Sequence, residues 1–209
     1  MDNFWDSVWN DSSIESYKKY INLSLEYEFI EYFKREGLKN VCDAACGFGK
    51  YSVILSYNGF ALSGFDVSEE AVRLAENMLQ SFSLPYESFK VCSITDIAFE
   101  RSLFDGVTAH SVIDHLTMDA AYKAIDELFR ITKKGGLIFI SFDGLEEDDI
   151  SSPHIVLDDG SFKYTEGRRE GMIFKYYSDQ DIKKLLYKRN IIWINHKKSG
   201  VREIILRKE

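Results

Sequence analysis

The sequence predicts an α/β fold, a doubly wound, mostly parallel sheet of seven strands that ends in an antiparallel β-hairpin. Strand-like and helix-like runs alternate along most of the chain, an order that implies right-handed parallel crossovers. The last two strand-like runs, 191–196 and 201–207, are joined by Lys197-Lys198-Ser199-Gly200 alone. This loop is too short for a parallel crossover, so the two runs must pair antiparallel.

The 209 residues are enough for one domain with its own core. The chain opens with a predicted helix from Ser13 to about Arg35, because apolar residues recur there at helical spacing. We expect residues 1–36 to form a helical cap on this single domain, which spans residues 1–209.

The middle of the chain supplies the parallel strands and their crossover helices. Strands are predicted at 40–45, 60–67, 89–94, 104–111 and 137–142, and helices at 51–57, after the N-cap Ser68, around Ile125 and after Ser178. The helix around Ile125 is expected to end at Lys133-Lys134-Gly135-Gly136, because basic residues and then glycine favour a helix C-terminus. The helix after Ser178 is expected to carry Lys188-Arg189 in its last turn.

Residues 144–177 interrupt the alternation. Asp159-Gly160 and Glu166-Gly167 are turn signals between β-prone pieces, so a small inserted β-hairpin is predicted. After a central strand, it would overhang a site at the end of the sheet. We expect it to form one wall of a substrate site, and the opposite wall to come from Trp5, Trp9, Tyr17 and Tyr20. The alternative is a structural insertion, with these aromatic side chains in the core.

Charge and composition limit the partners. A net charge of −8 counts against nucleic acid, whose binding depends on phosphate neutralisation by Lys and Arg. No stretch reaches the ~18 apolar residues that a membrane span needs, and the acidic N-terminal segment lacks a signal-peptide core. Three cysteines suit reduced thiols in a cytoplasmic protein. Cys42 and Cys46 lack a second ligand pair, so no metal site is predicted, and oligomeric state is not indicated.

The stretch VCDAACGFGK, residues 41–50, places an acid and two glycines at a bend after the first strand. Ligands of open α/β sheets bind beyond the carboxyl ends of the strands. Asp66 ends the second strand, where a carboxylate can accept hydrogen bonds from both hydroxyls of a ribose. The bend and Asp66 together predict a nucleotide-type cofactor.

Two such cofactors compete. A dinucleotide site needs G-x-G-x-x-G, but the stretch Gly47–Ser52 has serine at the third glycine position. Asp43, just before the bend, would repel a pyrophosphate and would suit an ammonium group. S-adenosylmethionine has a ribose, a sulfonium and a free amino-acid end, so it fits better.

Four stretches carry a family resemblance. NVCDAACGFGKYSVIL, GFDVSEEAVRLA, SITDIAFERSLFDGV and AHSVIDHL resemble, in order and spacing, the motifs of class I S-adenosylmethionine-dependent methyltransferases of the Rossmann-like superfamily. The resemblance covers roughly residues 38–142. It implies a seven-stranded sheet whose last strand inserts antiparallel, S-adenosylmethionine as cofactor, and methyl transfer as the reaction.

The resemblance also implies roles for individual residues. Asp43 and the bend at Gly47 and Gly49 would hold the methionine end, Asp66 the ribose and Val67 the adenine. Serine replaces the family's usual acid before Ile94, and Asp96 could substitute for that acid. The remaining residues that we expect at the cofactor are Tyr17, Ala45, Cys46, Ser93, Ile94, Ala109 and His110.

Methyl transfer is an in-line displacement, so alignment of acceptor and methyl can supply most of the acceleration. A base is needed only if the acceptor loses a proton. The candidate bases near the carboxyl end of the sheet are His110, Asp114, His115 and Asp143. Of these, only the two histidines are kept as candidate catalytic groups. His115 could equally fix the loop after the fourth strand.

A small-molecule acceptor is expected. The alternatives are a protein or RNA acceptor, a non-catalytic S-adenosylmethionine-binding regulatory module, and an NAD(P)-dependent oxidoreductase.

Overall fold

The computed structural model describes residues 4–10 and 12–209. Its main sheet contains β1 Asn40–Ala44, β2 Ala61–Asp66, β3 Ser88–Val91, β4 Phe104–Ala109, β5 Thr132–Phe142, β9 Asn190–His196 and β10 Arg202–Arg207. The seven strands lie in the order β3-β2-β1-β4-β5-β10-β9. The first five pair in parallel, and β10 pairs antiparallel with both β5 and β9. The predicted fold class is confirmed.

Helices cover both faces of this sheet. They are α1 Phe4–Trp9, α2 Ile14–Lys18, α3 Glu28–Arg35, α4 Lys50–Tyr57, α5 Glu69–Ser81, α6 Met118–Ile131 and α8 Asp179–Leu185. Side chains alternate across the pleat of β5: Ile138 and Ile140 pack with α6 and α8, whereas Leu137 and Phe139 pack with α3 and α4. Within the described residues, no helix has the length and apolar character that crossing a membrane requires.

The single helix predicted from Ser13 to Arg35 is wrong. The chain forms α2 and α3 with a turn between them. Asn22 makes this turn, because its Oδ1 accepts hydrogen bonds from the backbone N–H of Ser24 at 3.0 Å and from the Ser24 hydroxyl at 2.7 Å. An asparagine side chain that bonds to the backbone two residues later competes with helix formation.

The predicted end of α6 is also wrong. The helix ends at Ile131, and Lys133-Lys134-Gly135-Gly136 belong to β5. Pairing with the chain after β10 holds them there: the N–H of Gly135 donates to the carbonyl of Lys208 at 2.7 Å, and the N–H of Lys208 donates to the carbonyl of Gly136 at 3.0 Å. Sheet pairing therefore outweighs the local helix-end signal.

Two further boundaries differ from the prediction. The capping box of Ser178 and Asp181 starts α8 as expected, but the helix ends at Leu185, so Lys188-Arg189 lie beyond its last turn. The inserted segment is more than a hairpin. It contains α7 Glu147–Ser151 and a three-stranded antiparallel sheet of β6 His154–Val156, β7 Phe162–Tyr164 and β8 Ile173–Phe174.

Candidate active site

A cavity of about 630 Å³ opens at the carboxyl ends of β1, β2 and β4. The bend after β1 forms its floor: Ala45 and Gly47 both have positive φ, 54° and 52°, and the N–H of Cys46 donates to the carbonyl of Phe65 at 2.9 Å. Ten of the residues expected at the site line this cavity: Asp43, Ala45, Cys46, Gly47, Asp66, Val67, Ser93, Ile94, His110 and His115.

Asp66 ties the two loops of the floor together. Its Oδ2 accepts the backbone N–H of Gly47 at 2.9 Å, and its Oδ1 accepts the backbone N–H of Ser68 at 3.0 Å. Burial raises the pKa of this carboxyl, while the backbone donors oppose that rise. Each oxygen keeps a lone pair. The carboxylate can therefore accept two further hydrogen bonds from a ligand in the cavity.

Asp43 is 2% exposed and has two hydroxyl donors. Ser52 Oγ donates to its Oδ2 at 2.6 Å, and Thr108 Oγ1 donates to its Oδ1 at 2.9 Å. Burial raises its pKa to about 6, and the charge of Asp66 adds to this effect. No ion pair between described residues includes Asp43 or Asp66. The floor therefore holds two buried carboxylates without a cationic partner.

The two glycines of the bend differ in their surroundings. A β-carbon on Gly47 would lie 3.3 Å from the indole of Trp9, so this glycine lets the N-terminal helix α1 approach the cavity floor. Gly49 precedes α4 with φ 85° and faces α5. Gly49 is not among the cavity-lining residues.

The side of the cavity next to β2 and β3 is apolar at Val67 and Ile94. Val67 is 40% exposed. Ser93 also lines the cavity, and its Oγ lies 2.8 Å from the hydroxyl of Thr95. Asp96 is exposed, forms a β-bridge with Ser93 and lies outside the lining. Its predicted contact with a cofactor stays a prediction.

Two histidines lie at the far side of the cavity. His110 is held between aromatic rings, 4.3 Å from the Tyr51 ring and 6.3 Å from the Phe139 ring. His115 Nδ1 lies 3.1 Å from the carbonyl of Ile173 and must donate to it, since a carbonyl only accepts. Burial lowers the pKa of both rings, that of His110 to about 3, where Lys50 and Lys197 add to the effect.

Aromatic side chains from the start of the chain face this floor. Trp5, Trp9 and Tyr20 line the cavity, as expected for one wall. Tyr17 stands behind it, stacked on Phe48 with ring centroids 4.6 Å apart. Ala109 is fully buried in the core below the cavity. Neither Tyr17 nor Ala109 is among the lining residues.

Sequence reasoning missed part of the lining. Lys50 and Tyr51 follow the bend directly, so their position at the first turn of α4 was a usable signal. Ser111, Val112 and Leu116 lie in the loop after β4, within the stretch AHSVIDHL, so their place in that stretch was a usable signal as well. The missed residues are Phe48, Lys50, Tyr51, Phe65, Ser111, Val112 and Leu116.

The inserted segment meets the site through the loop after β4. The N–H of Lys175 donates to the carbonyl of Asp114 at 2.7 Å, and the Phe174 ring lies 6.1 Å from the His115 ring. His115 in turn packs edge-on against Trp5 at 4.8 Å. The residues that line the cavity come from outside 144–177, so the segment supports one lining side chain from behind.

Comparisons with known proteins agree with this geometry. Two curated relatives are each 29% identical to this chain. The ubiquinone biosynthesis O-methyltransferase of Nitrosomonas europaea matches over 105 residues, which are 49% of this chain and 43% of the relative. The tRNA (carboxymethyluridine(34)-5-O)-methyltransferase of Arabidopsis thaliana matches over 112 residues, which are 53% of this chain and 26% of the relative. The chain spans about half, or less, of the length of the curated relatives it matches.

The fold of the chain is similar to a solved S-adenosylmethionine-dependent methyltransferase from Methanosarcina mazei. The TM-score is 0.73 at 23% identity, and the match covers 88% of this chain and 98% of that one. Residues 42–140 match the methyltransferase domain family. Residues 42–140 therefore form a methyltransferase domain, and the chain has the fold of the solved S-adenosylmethionine-dependent methyltransferase.

Proposed function

We propose that this protein transfers a methyl group from S-adenosylmethionine to a small molecule. One observation carries the proposal: Asp43 and Asp66, two buried carboxylates without a cationic partner among the described residues, line a single cavity that Trp5, Trp9 and Tyr20 also line. A ligand with an ammonium group and a ribose would supply the charge and the hydrogen-bond donors that this floor lacks.

The geometry supports three contacts for the cofactor. Asp66 would accept the two ribose hydroxyls, because both of its oxygens keep a lone pair beyond their backbone donors. Asp43 would attract the ammonium end near the bend at Gly47, and Val67 and Ile94 would pack on the adenine. When bound, the cofactor supplies an electrophilic methyl group, and the chain's own residues position it and exclude water.

The acceptor is proposed to be small and at least partly aromatic. The whole cavity, about 630 Å³, is in the range of small-molecule sites, and a cofactor would share this volume. Trp5, Trp9 and Tyr20 offer flat apolar surfaces, which favour offset or edge-on contact with another ring. A macromolecular acceptor would have to insert one group into the same space.

Titration calorimetry tests the cofactor first. S-adenosylmethionine and S-adenosylhomocysteine should bind at a single site, and NAD⁺ and NADP⁺ should not. A screen of metabolite mixtures by mass spectrometry should then find a compound that gains the mass of one methyl group only when enzyme and cofactor are both present. Cofactor binding without any methylated product would favour a regulatory module, and binding of a dinucleotide alone would favour an oxidoreductase.

An RNA acceptor is the second candidate. A concavity of about 510 Å³ at the opposite edge of the sheet is lined by six basic side chains and three acidic ones: Arg101, Arg130, Lys188, Arg189, Arg207 and Lys208, with Asp126, Glu127 and Glu209. Three of the basic groups are already paired, Arg130 with Glu127, Arg189 with Asp126 and Arg207 with Glu36. A filter-binding assay with total tRNA tests this candidate, and salt-sensitive retention would favour it.

The inserted segment is proposed to support the acceptor side of the cavity through His115. The hydrogen bond from His115 to Ile173 and the contact with Phe174 support this role. Deleting residues 153–176 should abolish turnover and leave the affinity for S-adenosylhomocysteine nearly unchanged. Equal loss of both would mean that the segment only stabilises the fold.

A further inference from the structure

The ends of β4 and β5 meet at Ser111. This serine has φ 48°, a conformation that a residue other than glycine adopts at a cost and that is frequent at functional sites. Its backbone N–H donates to the hydroxyl of Ser141, on β5, at 2.9 Å. The strained backbone places the Ser111 hydroxyl between two groups, 3.0 Å from Asp143 Oδ1 and 2.9 Å from His110 Nδ1.

Counting protons fixes the direction of both hydrogen bonds. An ionised carboxylate can only accept, so the single hydroxyl proton of Ser111 goes to Asp143. Ser111 Oγ must then accept from His110, whose ring therefore carries its proton on Nδ1. The other ring nitrogen, Nε2, is left with a lone pair, and no described residue makes a hydrogen bond to it. His110 lines the cavity, so a ligand there can approach its ring.

The surroundings of His110 oppose a positive charge on the ring. The ring is buried against Tyr51, on α4, and Phe139, on β5. Two charged groups act on the His110 ring: Lys50, on α4, and Lys197, in the loop between β9 and β10. Asp143 is linked to the ring only through the hydroxyl of Ser111. The pKa of His110 is lowered to about 3, mainly by burial. The imidazole is therefore neutral at physiological pH, and a proton taken up at Nε2 must leave again at Nδ1.

We propose that His110, Ser111 and Asp143 form a proton relay that accepts the proton of a hydroxyl group on the methyl acceptor. His110 is the catalytic base, and Ser111 and Asp143 are positioning residues that set its tautomer and take up the proton. This inference deepens the proposed methyl transfer and rests on it: it selects acceptors whose attacking oxygen carries a proton.

The step balances in protons and electrons. The acceptor oxygen forms a bond to the methyl carbon while the carbon–sulfur bond breaks and its electron pair stays on sulfur. The hydroxyl proton moves to Nε2 of His110, the Nδ1 proton moves to Ser111 Oγ, and the Ser111 proton moves to Asp143. The imidazole changes tautomer but never becomes a cation. Asp143 is partly exposed, so it can pass the proton to solvent.

The first test needs neither cofactor nor acceptor. The protein is labelled with ¹⁵N-histidine, and the His110 signals, among four histidines, are identified by their loss in His110→Gln. Between pH 5 and 8 the ring should stay neutral with its proton on Nδ1. Ser111→Gly suits the positive φ and removes the hydroxyl, so it should move the proton population toward Nε2. A wild-type ring with its proton on Nε2 would overturn the relay, whether or not the protein is a methyltransferase.

The second test compares two acceptors of matched shape, catechol and 4-nitrocatechol, of which the nitro compound ionises more readily. Ser111→Gly and Asp143→Asn should each lower kcat for catechol by about 10²-fold, and for 4-nitrocatechol by less than about threefold at pH 8, because an ionised acceptor needs no base. The matched control is Ser102→Gly, since Ser102 also has positive φ (54°) but lies at the other end of β4.

Calorimetry on the same variants separates this proposal from the proposed function. Affinity for S-adenosylhomocysteine should stay within about twofold of wild type in all three variants, since the relay does not touch the carboxylates that we assign to the cofactor. Equal losses of kcat with both catechols would overturn the relay and indicate a structural role. If neither the catechols nor the metabolite screen gave an oxygen-methylated product, with S-adenosylhomocysteine still bound, the hydroxyl acceptor would be overturned. Absence of cofactor binding would instead overturn the proposed function.

Discussion

Gly49 and Ala75 bring the backbones of α4 and α5 into contact: a β-carbon on Gly49 would lie 2.8 Å from the Cα of Ala75. Neither backbone can give way without moving its helix. The positive φ of Gly49, 85°, adds a second requirement for glycine. The geometry thus gives this glycine a packing role beside the binding role expected from its place in the bend.

We predict that Gly49→Ala destabilises the fold. Backbone strain should cost about 1 kcal/mol and the clash with Ala75 a further 1–3 kcal/mol or so, both measurable by urea unfolding. Gly59→Ala is the matched control, because Gly59 has nearly the same φ, 84°, and no heavy atom of the described residues lies within 4 Å of the added carbon. Equal losses of stability in the two variants would contradict the packing role.

Asp66→Asn should weaken binding of S-adenosylhomocysteine by roughly 10- to 150-fold. The expected loss is the ~1.5–3 kcal/mol of charge-assisted hydrogen bonds to ribose hydroxyls, and titration calorimetry measures it. Asp119→Asn, an exposed acid in the first turn of α6, controls for the change in net charge. Unchanged affinity in Asp66→Asn would refute the ribose assignment.

Asp43 should make stability depend on pH between about 4 and 6. Its pKa in the folded chain, about 6, is above its ordinary value of 3.8, so in this range the folded state binds more protons than the unfolded state. The contribution of this group is fully present below pH ~4 and is lost as the pH rises through 6, a cost of roughly 3 kcal/mol.

Asp43→Asn should remove this loss. Urea unfolding of wild type and variant at pH 4, 5, 6 and 7 should show the variant gaining relative stability as the pH rises. Other buried acids, Asp66 and Asp114, have raised pKa values too, so the difference between the two proteins is the informative quantity. A constant difference across the series would show that Asp43 does not titrate in this range.

The tryptophans should report cofactor binding. Trp5 and Trp9 line the cavity, whereas Trp193, the third, lies on β9 and packs against Tyr32 of α3, with ring centroids 5.8 Å apart. Titration with S-adenosylhomocysteine should change the intrinsic fluorescence of wild type and of Trp193→Phe. The change should disappear in the Trp5→Phe, Trp9→Phe double variant while calorimetry still detects binding. A signal that persists there would place the ligand elsewhere.

Elements whose signal is local were predictable from the sequence. The β9–β10 hairpin followed from a loop too short for a crossover, and the α5 cap from Ser68, whose hydroxyl accepts the N–H of Ala71 at 3.3 Å. The turn at Asn22 and the inclusion of Gly135 and Gly136 in β5 were not predicted. In the first case a side-chain hydrogen bond, and in the second a distant strand, overrides the helical signal.

The same distinction holds for the candidate site. Asp43 and Asp66 were predictable because strand ends meet at one edge of a parallel sheet, and the structure places both in the cavity. The contact of Trp9 with Gly47 depends on how α1 packs against α5, which no local pattern encodes. The link between Ser111 and Asp143 likewise joins residues far apart in the chain, and only the sheet order brings them together.

The position of α1 has a practical consequence for anyone purifying this protein. Helix α1 contributes Trp5 and Trp9 to the cavity lining, so an affinity tag fused to the N-terminus would be attached only a few residues from side chains that line the cavity. Such a fusion could slow ligand entry or occupy the entrance with its own side chains. A tag joined after Glu209 would follow β10, at the edge opposite the cavity, and is the safer choice for binding and kinetic work.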